Sequence, residues 1–77
     1  MSVHVKYFAS LRDKIGRSND MVSIKETTTV ENIWQAATQH MERPPQLMVA
    51  INHEYATFKD VVKDGDEVAF FPPVTGG

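Results

Sequence analysis

Residues 28–51 read TTVENIWQAATQHMERPPQLMVAI, and this stretch decides the fold because a helical pattern gives way in it to a strand pattern. Thr28 and Glu31 stand three residues apart and form a capping box, so we predict that a helix begins at Thr28. The apolar residues that follow repeat at the 3.6-residue period of a helix: Val30, Ile33, Trp34, Ala37 and Met41. Because proline removes a backbone donor and disfavours a helical residue before it, Pro44-Pro45 predicts the end of the helix. The stretch therefore predicts one amphipathic helix with Trp34 in the core.

The apolar run at residues 47–51 is too short for a helix, and we predict a strand buried on both faces. On the N-terminal side, residues 2–7 alternate strictly between polar and apolar side chains, which predicts a half-buried strand. Residues 21–24 predict a second strand, and the polar stretch 13–20 before it reads as a turn. The two N-terminal strands are thus expected to form a hairpin.

Downstream of residue 51, residues 54–58 predict a further short strand, the sequence DGD at 64–66 predicts a turn, and residues 68–71 predict the last strand. One helix packed across one small mixed sheet is the economical two-layer arrangement for this order of elements. The fold class is therefore α+β, and the pattern is that of the β-grasp, or ubiquitin-like, fold. Residues 1–71 form the predicted domain, and residues 72–77 form an extended C-terminal tail.

The amino-acid composition of the chain excludes several classes of function. With 77 residues, 42% of them hydrophobic and 23% charged, the chain has the balance of one small folded domain. The sequence contains no cysteine, which excludes a disulfide framework, a thiolate nucleophile and a zinc ribbon. A net charge of -2 argues against a nucleic-acid partner, and the short apolar runs argue against a membrane partner or a signal peptide. We expect a cytoplasmic protein.

The tail Pro72-Pro73-Val74-Thr75-Gly76-Gly77 is the most informative segment. Prolines favour an extended backbone, so six residues could reach roughly 20 Å from the last strand at about 3.3 Å per residue. Without Cβ atoms, Gly76 and Gly77 can enter a channel too narrow for any side chain. The alternative is a frayed terminus with no role. If the tail is functional, its reactive group is the α-carboxylate of Gly77, which must be activated, most simply by ATP as an acyl-adenylate, before a nucleophile can attack it.

Residues 64–77, DGDEVAFFPPVTGG, resemble the C-terminal signature of the small, sulfur-carrying subunit of molybdopterin synthase. Residues 5–12, VKYFASLR, are similar to that family's first strand and following loop, and residues 50–52 resemble its middle strand. The resemblance covers essentially the whole chain, and the C-terminal motif is its most specific part.

The resemblance implies a sulfur-carrying cycle. A ubiquitin-activating-like enzyme would use ATP and Mg to adenylate Gly77, and a sulfur donor such as a cysteine desulfurase or a rhodanese-like protein would convert it to a thiocarboxylate. The tail, with Gly76 as the slender neighbour, would then enter the large subunit of molybdopterin synthase and pass sulfur to cyclic pyranopterin monophosphate to build the dithiolene. The implied assembly is a heterotetramer whose active site lies on the large subunit, so this chain would be its non-catalytic subunit and hold no cofactor.

Two aromatic residues are candidates for the partner interface, because each is out of phase with the buried residues of its strand: Phe8 and Phe71. For Phe8, a bulge or strand end that turns the ring into the core stays an alternative. The resemblance adds further residues to this surface: Arg12, Pro72, Pro73, Val74 and Thr75. Tyr55 is a weaker candidate.

The remaining polar residues predict no site. The histidines share no ligand spacing and are expected on the surface, without a metal: His4, His40 and His53. The acidic residues near the last strand predict a solvated turn, although the same surface could meet the adenylating enzyme: Asp60, Asp64, Asp66 and Glu67.

Three other functions remain open at this stage. The chain could carry sulfur for thiamine thiazole synthesis, although the Phe-Phe-Pro-Pro segment argues against it. It could be a ubiquitin-like modifier conjugated to lysines. It could also be a binding module whose tail has no role, in which case truncating the tail would have no effect.

Overall fold

The structure, a computed structural model, describes residues 1–73. A five-stranded mixed sheet forms one layer, with the strand order β2-β1-β7-β4-β5. Its strands are β1 (Ser2–Tyr7), β2 (Asn19–Ser23), β4 (Met48–Ile51), β5 (Glu54–Ala56) and β7 (Glu67–Phe71). Strands β1 and β7 run parallel, whereas the other neighbouring pairs of the sheet run antiparallel. The helices are α1 (Ala9–Ile15) and α2 (Val30–Thr38), and a small second sheet pairs β3 (Thr28–Thr29) with β6 (Val61–Val62).

The core lies between α2 and one face of the sheet. Trp34 of α2 is fully buried and packs edge-to-face on Phe70 of β7, with ring centroids 5.0 Å apart. The rings of Tyr7 and Phe58 lie within 6.3 Å and 5.9 Å of the same phenylalanine. The indole Nε1–H of Trp34 donates to the Met41 carbonyl at 2.7 Å, so the polar atom of this residue is also satisfied. The predicted β-grasp class and the predicted burial of Trp34 are confirmed.

Helix α2 is shorter than predicted at both ends. Its N-cap is Thr29, whose hydroxyl oxygen accepts from the Asn32 backbone N–H at 3.2 Å, and the predicted cap at Thr28 is wrong because Thr28 pairs with Val62 in the small sheet. The helix ends at Thr38 rather than at the proline pair, because Gln39 adopts a left-handed conformation with φ of 58°. Sequence periodicity missed this early end, since Met41 still packs against the core from the following loop.

Helix α1 replaces part of the turn predicted at residues 13–20. Leu11 is buried and Ile15 packs partly against the core, which is the i, i+4 spacing of a short amphipathic helix. The helix ends at Gly16, whose φ of 91° is left-handed and whose backbone N–H donates to the Arg12 carbonyl at 2.9 Å. The predicted antiparallel pairing of the N-terminal strands is confirmed, with α1 inserted in the connection.

The prediction that the strand at residues 47–51 is buried on both faces is wrong. Val49 is only 2% exposed, but its neighbour Met48 is 37% exposed. Helix α2 covers one face of the sheet, and within residues 1–73 no other layer covers the opposite face of β4.

The turn predicted at residues 64–66 is confirmed, with Gly65 at φ of 87°. No helix among the described residues is long and apolar enough to cross a membrane.

Candidate functional site

The tail begins at the middle of the sheet. Strand β7 lies between β1 and β4, so Pro72 leaves the domain from the central strand. Because β1 and β7 are parallel, their C-terminal ends meet at the same edge of the sheet, and the Phe8 backbone N–H donates to the Phe70 carbonyl there at 3.1 Å. Met48, the first residue of β4, lies directly opposite Phe71. Three strands thus bring exposed or half-exposed apolar residues to the edge from which the tail leaves.

We call the apolar surface at this edge the outer patch, and its members are Phe8, Met48, Tyr55 and Phe71. Tyr55 is 77% exposed and its ring centroid lies 6.1 Å from that of Phe71. Phe8 is 46% exposed. Neither Phe71 in β7 nor Phe8, which directly follows β1 and is the N-cap of α1, belongs to the buried core, in agreement with the predicted alternation. Their role in binding a partner stays a prediction.

The opposite end of the same sheet face is charged. Glu67, at the start of β7, forms ion pairs with Lys6 at 3.4 Å and with His53 at 3.8 Å, and it lies opposite His4 in the neighbouring strand. The face therefore changes from polar to apolar along β7 in the direction of the tail. A partner that docks on the apolar end would remain close to Pro72.

The turn before β7 is structural, and the prediction of a solvated acidic turn is wrong for Asp66. This residue is 6% exposed and accepts hydrogen bonds from Asn52 Nδ2 and from the Lys63 backbone N–H, each at 2.9 Å. The bond from Asn52, followed by the bond and the positive charge of Lys63, holds the pKa of Asp66 below its usual range. Asp66 thus anchors the loop that sets the start of β7.

The other predicted interface residues occupy the same end of the molecule or lie outside the described part. Arg12 is exposed on α1, one turn beyond Phe8, and Pro72 and Pro73 are half-buried after β7. The predictions for Val74, Thr75, Gly76 and Gly77 fall outside residues 1–73. Sequence reasoning missed α1 as an element, although Leu11, Ile15 and Gly16 together carried the signal of a short capped helix.

The histidines do not converge. His4, His40 and His53 are all exposed, in agreement with the sequence prediction for their position. Over residues 1–73, histidines, aspartates and glutamates form no group of three or more that could hold a metal ion. The described domain places Pro72 and Pro73, the first two residues of the tail, near an apolar surface.

Comparison with known proteins connects this arrangement with a family. The ThiS family matches residues 5–77. The molybdopterin synthase sulfur carrier subunit of Escherichia coli (strain K12) is 36% identical over 81 residues, which cover 97% of this chain and 99% of that protein.

Two solved structures are also similar. The crystal structure of SAMP1, small archaeal modifier protein 1, from Haloferax volcanii superposes with a TM-score of 0.84 and 28% identity over the full length of both chains. A chain from the complex of subunits 1 and 2 of the molybdopterin-converting factor of Helicobacter pylori superposes with a TM-score of 0.65, with full coverage of both chains. At 24% identity, this second likeness supports the fold alone. Together with the E. coli relative, the match over residues 5–77 shows that the chain belongs to the ThiS family.

Proposed function

We propose that this chain is the sulfur carrier of a molybdopterin synthase and that Gly77 carries the sulfur. The observation that supports the proposal most directly is the exit of the tail from the central strand β7 beside the outer patch. The full-length similarity to a molybdopterin synthase sulfur carrier subunit agrees with it. In this role the chain is a co-substrate that works in the cytoplasm, and the catalytic groups belong to its partners.

The chemistry begins at the α-carboxylate of Gly77. One carboxylate oxygen attacks the α-phosphorus of ATP, with Mg, in a ubiquitin-activating-like enzyme, and pyrophosphate leaves. The terminal sulfur of a persulfide on a cysteine desulfurase or a rhodanese-like donor then displaces AMP, and a second thiol reduces the resulting acyl disulfide, which leaves a thiocarboxylate on Gly77 and a disulfide on the donor. In the large subunit this sulfur bonds to a carbon of cyclic pyranopterin monophosphate in place of an oxygen substituent, which leaves that carbon, and water then cleaves the acyl–sulfur bond and restores the carboxylate. Two such transfers supply the two sulfurs of the dithiolene.

The tail suits delivery because of its composition. Pro72 and Pro73 restrict the backbone before binding, which lowers the entropy that a partner must remove to hold the tail extended. Gly76 and Gly77 lack Cβ atoms, so a narrow channel can admit them. The six residues of the tail reach about 20 Å at most, and therefore the large subunit must dock on the domain itself.

The outer patch is the docking surface in this proposal. Exposed aromatic residues next to one another on a small domain mark a surface that a partner covers. Arg12, Val74 and Thr75 are proposed to extend the contact from the patch along the tail.

The proposal is tested by reconstitution from purified parts. We expect the thiocarboxylated chain, mixed with the large subunit and cyclic pyranopterin monophosphate, to yield the dithiolene product. A chain that lacks Gly77 should fold normally and yield none. A parallel mixture with thiazole synthase and its substrates tests the thiamine alternative. Product only in the thiazole mixture, or product from the chain without Gly77, would overturn the proposal.

A second candidate is a ubiquitin-like modifier, which the likeness to small archaeal modifier protein 1 favours. It uses the same adenylated glycine, but a lysine amine rather than sulfur displaces AMP. The candidate predicts higher-mass adducts of the chain on a denaturing gel, which resist reducing agent and disappear when Gly77 is deleted. A carrier that acts only in sulfur transfer leaves no such adducts.

A further inference from the structure

A small pocket of about 230 Å³ lies where the tail leaves the domain. We call it the tail-root pocket. Its walls come from three segments: Ser10 and Lys14 of α1, Pro44 and Pro45 of the loop before β4, and Pro72 and Pro73 of the tail. These segments are distant in sequence, and the fold brings them together only at this edge of the sheet.

Residues of the tail-root pocket are close neighbours along the chain of residues in the outer patch. Ser10 follows Phe8 by two residues, and Pro72 directly follows Phe71. Leu47, which also lines the pocket, directly precedes Met48. Three members of the patch thus lie within two residues of a residue that lines the pocket. A protein that covers the patch therefore lies close to the pocket at this edge of the sheet.

The size and the walls of the pocket indicate what it can hold. A cavity of about 150 Å³ is large enough for benzene, whereas small-molecule sites measure about 300 Å³ or more. A pocket of about 230 Å³ therefore fits one large apolar side chain rather than a cofactor. Four of the residues that line the pocket are prolines, whose rings have no side-chain rotamers to lose on binding. The pocket is therefore already formed before a partner arrives.

A basic side chain, Lys14, lines the pocket on a protein whose formal net charge is -2. Lys14 is exposed there, and no ion pair links it to another residue in the part of the chain that the structure describes. Arg12 adds a second basic side chain to the same helix. A carboxylate of a partner next to Lys14 would meet a complementary charge.

The length of the tail brings the partner close to the pocket. Gly77 is the fourth residue after Pro73, and at about 3.3 Å per residue the chain between them spans at most roughly 13 Å. An enzyme whose active site receives Gly77 must therefore approach within that distance of the pocket wall.

We propose that the tail-root pocket receives one large apolar side chain of the large subunit of molybdopterin synthase, with an acidic side chain of the same segment beside Lys14. This inference rests on the proposed function. The pocket is the anchor of the interface, and the outer patch around it excludes water from the contact.

The first test fills the pocket. Ser10→Phe places a ring at its wall, and Ser23→Phe makes the same change on the exposed edge strand β2, away from the tail. In a titration with the purified large subunit, we expect the Kd of Ser10→Phe to rise tenfold or more and that of Ser23→Phe to change by less than about twofold. Thermal unfolding of each variant checks the fold.

The second test reverses a charge at the surface, where folding is not at risk. We expect Lys14→Glu to weaken binding about three- to tenfold at low salt and less at high salt, mostly by slowing association. Lys25→Glu, an exposed lysine after β2, is the matched control and should bind like the wild type.

The outcomes separate the two proposals. If the wild type binds the large subunit and transfers sulfur, but Ser10→Phe and Lys14→Glu bind equally well, the pocket proposal is wrong and the sulfur-carrier proposal stands. If Ser10→Phe does not fold, the response of Lys14→Glu decides. If the wild type neither binds nor transfers sulfur, both proposals fail.

Discussion

The two faces of the sheet differ although the same strands build both. On the inner face, α2 covers the sheet and Phe70 is fully buried among aromatic rings. On the outer face no layer of the described chain covers β7, and Phe71, the next residue, touches only the exposed ring of Tyr55 among the aromatic side chains. Adjacent phenylalanines thus stand in opposite environments.

In the part of the chain that the structure describes, a second layer covers the sheet on one face only. Sheets bury apolar faces against a second layer, and α2 supplies that layer for the inner face. On the outer face the outer patch lies at the edge from which the tail leaves, whereas the far edge carries the ion pairs of Glu67 together with the exposed Met21. We interpret this asymmetry as a division between a face that holds the fold and a face that meets the partner.

The largest loss of stability is expected from a substitution on the inner face. Phe70→Ala should lower the free energy of unfolding by about 3–5 kcal/mol, because it removes a buried ring and leaves a cavity beneath Trp34. Phe71→Ala, one residue away, should cost less than about 1 kcal/mol, since its ring is outside the core. Urea denaturation of both variants measures the contrast. Equal losses at the two positions would contradict the division between the faces.

A charge on the outer face should affect binding without affecting the fold. We expect Phe71→Asp to raise the Kd for the large subunit about thirtyfold or more, because a carboxylate would be desolvated in the contact. Its melting temperature should remain close to that of the wild type. Loss of folding in this variant would instead assign Phe71 to the core.

At the end of the sheet away from the tail, Asp66 should affect stability alone. Its lowered pKa means that its stabilising effect is complete above about pH 4, the usual value for an unfolded chain, and is lost as the pH falls through the folded value. Asp66→Asn should cost about 1–3 kcal/mol at pH 7 and less at pH 3. Asp13→Asn, an exposed aspartate on α1, is the control. Denaturation at both pH values measures the difference, and a cost that does not shrink at pH 3 would contradict this account of Asp66.

The smallest effect concerns the end of α1. Gly16 has a φ of 91°, and an added Cβ would meet nothing within 4 Å, so Gly16→Ala tests the conformational cost alone. We expect a loss of about 1 kcal/mol in unfolding free energy and an unchanged Kd for the large subunit. A large change in Kd would show that α1 must be held more rigidly for binding than this account assumes.

The sequence predicts the β-grasp class because its main signals are local. Alternation over residues 2–7 and the stripe that contains Trp34 each arise from one element, and the structure confirms both. The end of α2 was not predictable in this way, because Met41 keeps the helical spacing while Gln39 turns left-handed. The short β3–β6 pair was missed since two-residue strands show no period.

Some features of the candidate site could likewise be predicted from local sequence, and one could not. The proposed chemistry of Gly77 rests on the order of residues in the tail, and the outward direction of Phe71 follows from its phase against Phe70. The tail-root pocket could not be predicted, because its walls at Ser10, Pro44 and Pro72 meet only in the folded chain.

The intact mass of the chain shows whether Gly77 carries sulfur. The chain is incubated with ATP, Mg, a ubiquitin-activating-like adenylating enzyme of this pathway and a sulfur source, beside a known sulfur carrier as the positive control. We predict a gain equal to the exchange of one oxygen for sulfur, and no gain when Gly77 is deleted. An unchanged mass while the control carrier is modified would contradict the account.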